Sequence, residues 1–218
     1  MEKENENTPS SVHRLQFRPA PQARTAVLAE LISSARRLGA SDAAVVDTDA
    51  IRVDEELARF CLPPGCPHYG RSAGCPPYVK GPRWFRAQLK HYRFAVLVRI
   101  DANTEVLRSE QSKSLFRQLH RIAAGIERGA LSLECPDAMA FAGGSCRSLF
   151  CADQNGCPVM EKNGVCRHPE AARPSLSGYG VDVGHLAGLA GWQMNWVREQ
   201  DISNGGGKAS IYALVLVV

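Results

Sequence analysis

The run Phe94–Ile100, FAVLVRI, and the run Ser210–Val217, SIYALVLV, are apolar almost without interruption, which marks strands buried on both faces. Around them the pattern changes to helical spacing. Leu115, Leu119, Ile122, Ala123 and Ile126 make one apolar stripe with charged residues opposite. Ala23–Leu38 carries Val27, Leu28, Leu31, Ile32, Ala35 and Leu38 at the same period, with Gly39 as a stop. Ala43–Val46 and Ala138–Ala142 (AMAFA) are two further strand candidates. Asp54 opens a short helical turn, and Pro82 sits where a helix commonly starts, ahead of a segment running to about His91. Asp182 is placed as the N-cap of a helix holding Leu186, Leu189, Met194 and Trp196, and Gly205–Gly207 end that section. Helices thus separate four strands. The expected fold is an α/β or α+β layered domain with a mixed sheet of about four strands and helices packed on it. If the strands at 43–46 and 138–142 run the same way, the loops that follow them leave from one end of the sheet and face each other.

Those two loops hold seven of the eight cysteines. Cys61, Cys66 and Cys75 lie in the loop 61–78, and Cys146, Cys151, Cys157 and Cys166 in the loop 143–182. The second set reads C-x4-C-x5-C-x8-C, four thiols within 21 residues, enough for the irons of a [4Fe–4S] cluster or the four positions of a zinc ion. Structural zinc sites favour two tight pairs, whereas these gaps widen steadily, so a cluster is favoured and zinc is the alternative. Gly143, Gly144, Gly156 and Gly164 let the backbone approach sulfur closely, and Pro158 biases Cys157 toward an extended backbone. The first set, C-x4-C-x8-C, supplies three thiols only. Either a fourth ligand comes from His68 or Cys135, or one iron stays open, or the three complete a centre shared with the other loop. One cluster or two is therefore open at this level. Cys135 alone reads as a small buried hydrophobe.

With 218 residues, 44% of them hydrophobic, the chain can bury a substantial core, expected as a single metal-binding domain over 22–218 after a disordered tail over 1–21. The first dozen residues have no apolar stretch of a secretory signal, and the longest apolar run, Ile211–Val218, is far short of a membrane span. A cytoplasmic, reducing setting follows, in which clustered thiols hold metal more often than they form disulfides. The net charge of +4 is small and argues against nucleic acid. Arg71, Lys80, Arg83, Arg86, Lys90 and Arg93, with Trp84 and Phe85 among them, read first as a solvated helix face over an aromatic pair. Their functional reading is a docking surface for an acidic electron carrier or redox enzyme. Arg167, His168 and Arg173 suit a negatively charged cluster or an anionic substrate. Ser203–Ser210, SNGGGKAS, fails as a phosphate loop because Ala209 follows Lys208 and a strand comes next. No catalytic set announces itself.

The stretches CPHYGRSAGCPPY (66–78), GGSC (143–146), CRHPEAARPS (166–175) and GYGVDV (178–183) resemble the DUF2284 family of predicted metal-binding proteins. The likeness spans Cys61 to Val183. It implies cysteine-bound metal on Cys61, Cys66, Cys75, Cys146, Cys151, Cys157 and Cys166, with iron–sulfur chemistry and a place in anaerobic metabolism. Cys146, Cys151 and Cys157 are spread by four and five residues, wider than is usual in that family. Three functions follow: an iron–sulfur electron-transfer protein, a metalloenzyme with an open iron on the first loop, or a zinc-stabilised interaction module.

Overall fold

The structure is a computed structural model and describes residues 21–161, 164–194 and 207–217. The segment 1–20, Trp196, Gly205 and Gly206 lie outside the described residues, so the expectations for the tail and for Trp196 fall there too. Four strands form one sheet: β1 (Asp42–Asp47), β2 (Phe94–Asn103), β3 (Met139–Ala142) and β4 (Lys208–Val217), in the order β1-β2-β4-β3. The apolar runs at 94–100 and 210–217 become the two central strands, in register from Phe94 opposite Val217 to Asn103 opposite Lys208.

Alternation along these strands feeds two cores. Val96, Val98, Ile100, Ile211, Ala213, Val215 and Val217 face one layer, where they meet Leu31 and Ala35 of α1 (Pro21–Arg37) and the Leu119, Ile122, Ala123 and Ile126 stripe of α5 (Ser112–Ser132). Ala95, Leu97, Tyr212, Leu214 and Leu216 face the other. There they pack on α3 (Gly81–Leu89), a 3-10 turn at Leu176–Tyr179, and α7 (Val183–Leu189). The short helices α2 (Glu55–Arg59), α4 (Thr104–Arg108) and α6 (Cys146–Phe150) sit at the edges. Both expected caps form: Asp54 accepts from the Glu56 amide and Asp182 from the His185 amide, each at 2.9 Å. α7 stops at Leu189, and the turn at Gly191 leaves Met194 beyond the helix that the sequence pattern assigned to it.

The layered α/β architecture is as expected, but the sheet is not mixed. All three strand pairs are antiparallel. The reason is the placement of β4. β2 and β3, joined through α5, do run parallel to each other, as a helical crossover favours. They are not neighbours, because β4 enters between them antiparallel to both. β1 and β3 therefore run in opposite directions, and their loops leave toward opposite ends of the sheet. The first loop nevertheless reaches the second by crossing the α3 face. Its approach is laced to the segment 174–182 by backbone bonds from Asp54 to the Gly180 carbonyl (2.7 Å), Asp182 to the Arg52 carbonyl (3.0 Å) and Ser175 to the Gly74 carbonyl (2.8 Å).

Phe85 anchors that face. It is fully buried and meets Phe141 edge-on at 5.0 Å and Tyr179 at 5.3 Å. Phe85→Ala should cost about 3–5 kcal/mol, read as a lower urea midpoint at unchanged slope. A loss under about 1 kcal/mol would show that the aromatic cluster is not the keystone of this layer.

Candidate metal centre

The chain leaves β3 through Gly143-Gly144 and turns at once into α6, whose first residue is Cys146. The loop then folds on itself. Arg147 donates through Nη2 to the Gln154 carbonyl, and Arg167 through Nη1 to the Gly156 carbonyl at 3.3 Å. Gly164 passes so close to Pro158 that a Cβ there would stand 1.6 Å from the Pro158 carbonyl oxygen. The result is a cavity lined by Cys146, Cys151, Cys157 and Cys166, all four thiols of the second set. Ser72, Arg147, Phe150, Pro158, Arg167, His168 and Ala172 complete the wall. None of its lining residues is a carboxylate.

Burial pushes the Cys146 thiol up to about 11; the Ser72 hydroxyl opposes part of that shift, and the charges of Cys75, Cys157 and Cys166 add to it. The Ser72 hydroxyl is fully buried and makes no aligned hydrogen bond, so it stands beside the sulfur as an uncommitted donor. Arg147 Nη1 is also buried without a partner. His168 donates its amide to Cys166 Sγ at 3.4 Å, a contact that stabilises a thiolate. Four thiols, two arginines and two uncommitted donors make a wall suited to a group that brings its own negative charge and sulfur or oxygen acceptors. Among the described residues, no group of three or more His, Cys, Asp or Glu side chains is drawn together as a single ion requires.

The first loop carries its cysteines differently. Cys61 and Cys75 are buried and Cys66 half-buried. Burial raises the Cys61 thiol to about 11, and the charges of Cys66 and Cys75 push the same way. Cys75 donates to Ser145 Oγ at 3.3 Å, so this thiol reaches the start of the second loop. Gly74 makes that approach possible: a Cβ there would stand 3.2 Å from Cys146 Sγ. Of the two expected fourth ligands, Cys135 is buried on the α1–α5 side of the sheet, remote from both loops, and the reading of it as a small core residue holds. His68 is half-buried, and burial together with the Arg71 charge lowers its pKa. No disulfide links any of the eight cysteines.

Several residues that shape the site carried no signal of their own in the sequence. His120, inside the apolar stripe of α5, is fully buried and holds both ends of the second loop. Its Nδ1 accepts from the Arg173 amide at 3.1 Å, which leaves Nε2 to donate to the Gly143 carbonyl at 3.1 Å. Arg173 does not line the cavity; its guanidinium pairs with Glu127 at 2.5 Å, and Glu127 also accepts from the Ala140 amide of β3 at 2.7 Å. Arg167 and His168 do reach the cavity, as expected. Of the glycines, Gly143 and Gly144 pack against Tyr212 and Phe116 rather than against sulfur.

The His120 clamp has a pH signature. Burial holds its pKa down to about 4, against the usual 6.5, with the Gly143 carbonyl opposing and the Arg173 charge assisting. Between these values the unfolded chain binds the proton that the folded chain refuses. Stability is therefore complete above about pH 6.5 and is lost as pH falls toward about 4. Denaturant titrations at about pH 7.5 and about pH 4.5 should show the wild type losing about 2–3 kcal/mol more than His120→Gln. Equal losses would mean that the imidazole does not titrate with unfolding.

The match of the chain to known proteins agrees with this chemistry. The model of the DUF2284 family, described as predicted metal-binding proteins, matches residues 44–217 and so covers both cysteine loops and all four strands except the first two residues of β1. No curated protein matches the chain. No solved structure matches it either. With most of its length inside that match, the chain belongs to the DUF2284 family of predicted metal-binding proteins.

Proposed function

We propose that Cys146, Cys151, Cys157 and Cys166 hold a [4Fe–4S] cluster and that the protein carries single electrons. The observation that supports this most is the wall of the second-loop cavity: four thiols around a space, with a buried unpartnered arginine nitrogen and an uncommitted hydroxyl among them. A zinc ion would draw four sulfurs to about 2.3 Å of one point, whereas these thiols come from widening intervals and surround a space. A cluster bound there would supply a one-electron couple.

The chain's own residues set what that couple does. Arg147 and the His168 amide favour the more negative, reduced state, because donors facing sulfur stabilise added electron density. Phe150, Pro158 and Ala172 limit water at the wall, which strengthens those contacts. The four thiolates occupy every iron, so this centre passes electrons rather than binding substrate. With Cys146 at about 11 in the metal-free protein, assembly must expel protons, and it weakens as pH falls.

The partner we propose is an acidic electron carrier or redox enzyme that meets the α3 side in a reducing, cytoplasmic setting. Arg71, Arg83 and Lys90 are exposed there, and Lys80 stands 5.0 Å over the Trp84 ring. Arg86 is already paired with Glu55 at 2.8 Å and contributes less. Phe60 and Tyr78, 74% and 51% exposed, add the apolar contact that such a surface needs. Among the described residues no helix is long and apolar enough to cross a membrane.

Protein purified without oxygen should be brown, contain equal iron and acid-labile sulfide, and give an electron paramagnetic resonance signal on reduction. Cys151→Ala should remove that signal. Stoichiometric zinc with no sulfide would overturn the proposal in favour of a zinc-stabilised interaction module.

A further inference from the structure

The carbonyls of a loop without regular ladders need partners, and in the second loop many of those partners are arginines. Arg147 donates to the Gln154 carbonyl, Arg167 to that of Gly156, and Arg173 to those of Pro169 and Ala172 at 2.9 and 2.7 Å. Two more arginines reach in from α5. Arg117 donates through Nε to the Leu149 carbonyl at 2.5 Å, and Arg128 through Nη1 to that of Glu170. Leu149 lies between Arg147 and Cys151, and Glu170 between His168 and Ala172, all four of which line the cavity. Each α5 guanidinium therefore grips backbone that belongs to the cavity wall.

A carbonyl satisfies a guanidinium N–H without cancelling its charge, whereas a carboxylate does both. Arg36, Arg37, Arg59, Arg86 and Arg99 are all paired with Asp or Glu. Arg173 shows the difference within the loop itself, since it bonds two carbonyls and is also cancelled by Glu127 at 2.5 Å. Among the described residues, Arg117, Arg128, Arg147 and Arg167 form no ion pair. The loop's own acids leave them so. Glu170 sends its carboxylate toward His168 at 3.8 Å, and Asp153 and Glu161 are exposed to water. Four uncancelled charges are thus fastened to a loop whose cavity has no lining carboxylate. Arg117 is half-buried and Arg128 exposed, so solvent and salt screen the first much less than the second.

We infer that Arg117 and, more weakly, Arg128 set the reduction potential of the second-loop centre from α5, by holding uncancelled positive charge against the backbone of its wall. This rests on the reading that the loop carries a one-electron cluster. A fixed positive charge favours whichever state holds one more electron, so it raises the midpoint potential. Neither arginine lines the cavity. Both are positioning residues that act through the wall, and what separates this role from mere bracing is whether charge or hydrogen bond matters. Glutamine keeps an N–H donor and loses the charge, while lysine keeps the charge and loses the planar fork.

The test is a redox titration of the anaerobically purified full chain with dithionite, followed by electron paramagnetic resonance. Arg117→Gln should make reduction about tenfold less favourable, a fall of about 59 mV in midpoint, at unchanged iron and sulfide. Arg117→Lys should keep the wild-type midpoint. A fall as large for lysine as for glutamine would mean that the brace, not the charge, is what counts, and would overturn the inference. No fall for glutamine would overturn it too. Either result leaves the cluster itself standing, whereas a wild type without iron and sulfide overturns the parent reading and this inference with it. Should Arg117→Gln fail to fold or lose its iron, Arg128→Gln at its exposed position carries the test. A smaller fall that about 1 M salt abolishes supports the inference, and an unchanged midpoint at low salt overturns it.

Discussion

Everything at the site hangs on a three-residue strip, Arg173–Ser175. Its first amide is held by His120, its guanidinium by Glu127, its proline carbonyl by the Ala142 amide, and its last amide by the Gly74 carbonyl. One short strip therefore joins the long helix, the edge strand, the end of the second loop and the middle of the first. The Arg173–Glu127 pair is nearly out of water, at 11% and 17% side-chain exposure, where a charge left alone would be costly. That cost is what gives the strip a single position. Glu127 satisfies the arginine with one oxygen and an edge-strand amide with the other, so the same carboxylate fixes the sheet and the loop.

Charge runs in opposite directions on the two sides of that strip. Toward α5 the groups holding the strip are paired and neutral in sum, with an imidazole that stays uncharged. Toward the cavity the lining residues include Arg147 and Arg167 and no carboxylate, and burial holds the Cys146 thiol neutral. Positive charge among the lining residues therefore has no acidic counterpart in the wall, and one arginine nitrogen there is buried without a partner.

The strands, the long helices and the two cysteine loops were legible in the sequence because each is written in a local period or a local cluster. Phe94–Ile100, the α5 stripe and the capping aspartates all appear where the pattern put them. What was not legible is long-range. Helix-separated strands suggested parallel neighbours, and nothing local reveals that the strand at 208–217 slips between β2 and β3. The serines and His120 were equally silent: a serine beside a cysteine, or a histidine within an apolar stripe, acquires its role only from a partner some 50 to 70 positions away. Arg173 was read as a cluster cation because it is basic and near cysteines, but a buried glutamate on another element took it first.

The position of β4 has a consequence for how the molecule is made. Pairing Phe94 with Val217 closes a circuit of well over a hundred residues, and until it closes, the β1–β2 pair and β3 have no shared edge. Contacts of that separation form late and slowly. All eight thiols leave the ribosome before the strand that unites the two halves, so the loops are exposed while the scaffold is still in pieces. Until that strand arrives, the two cysteine loops are presented without the sheet that holds them together.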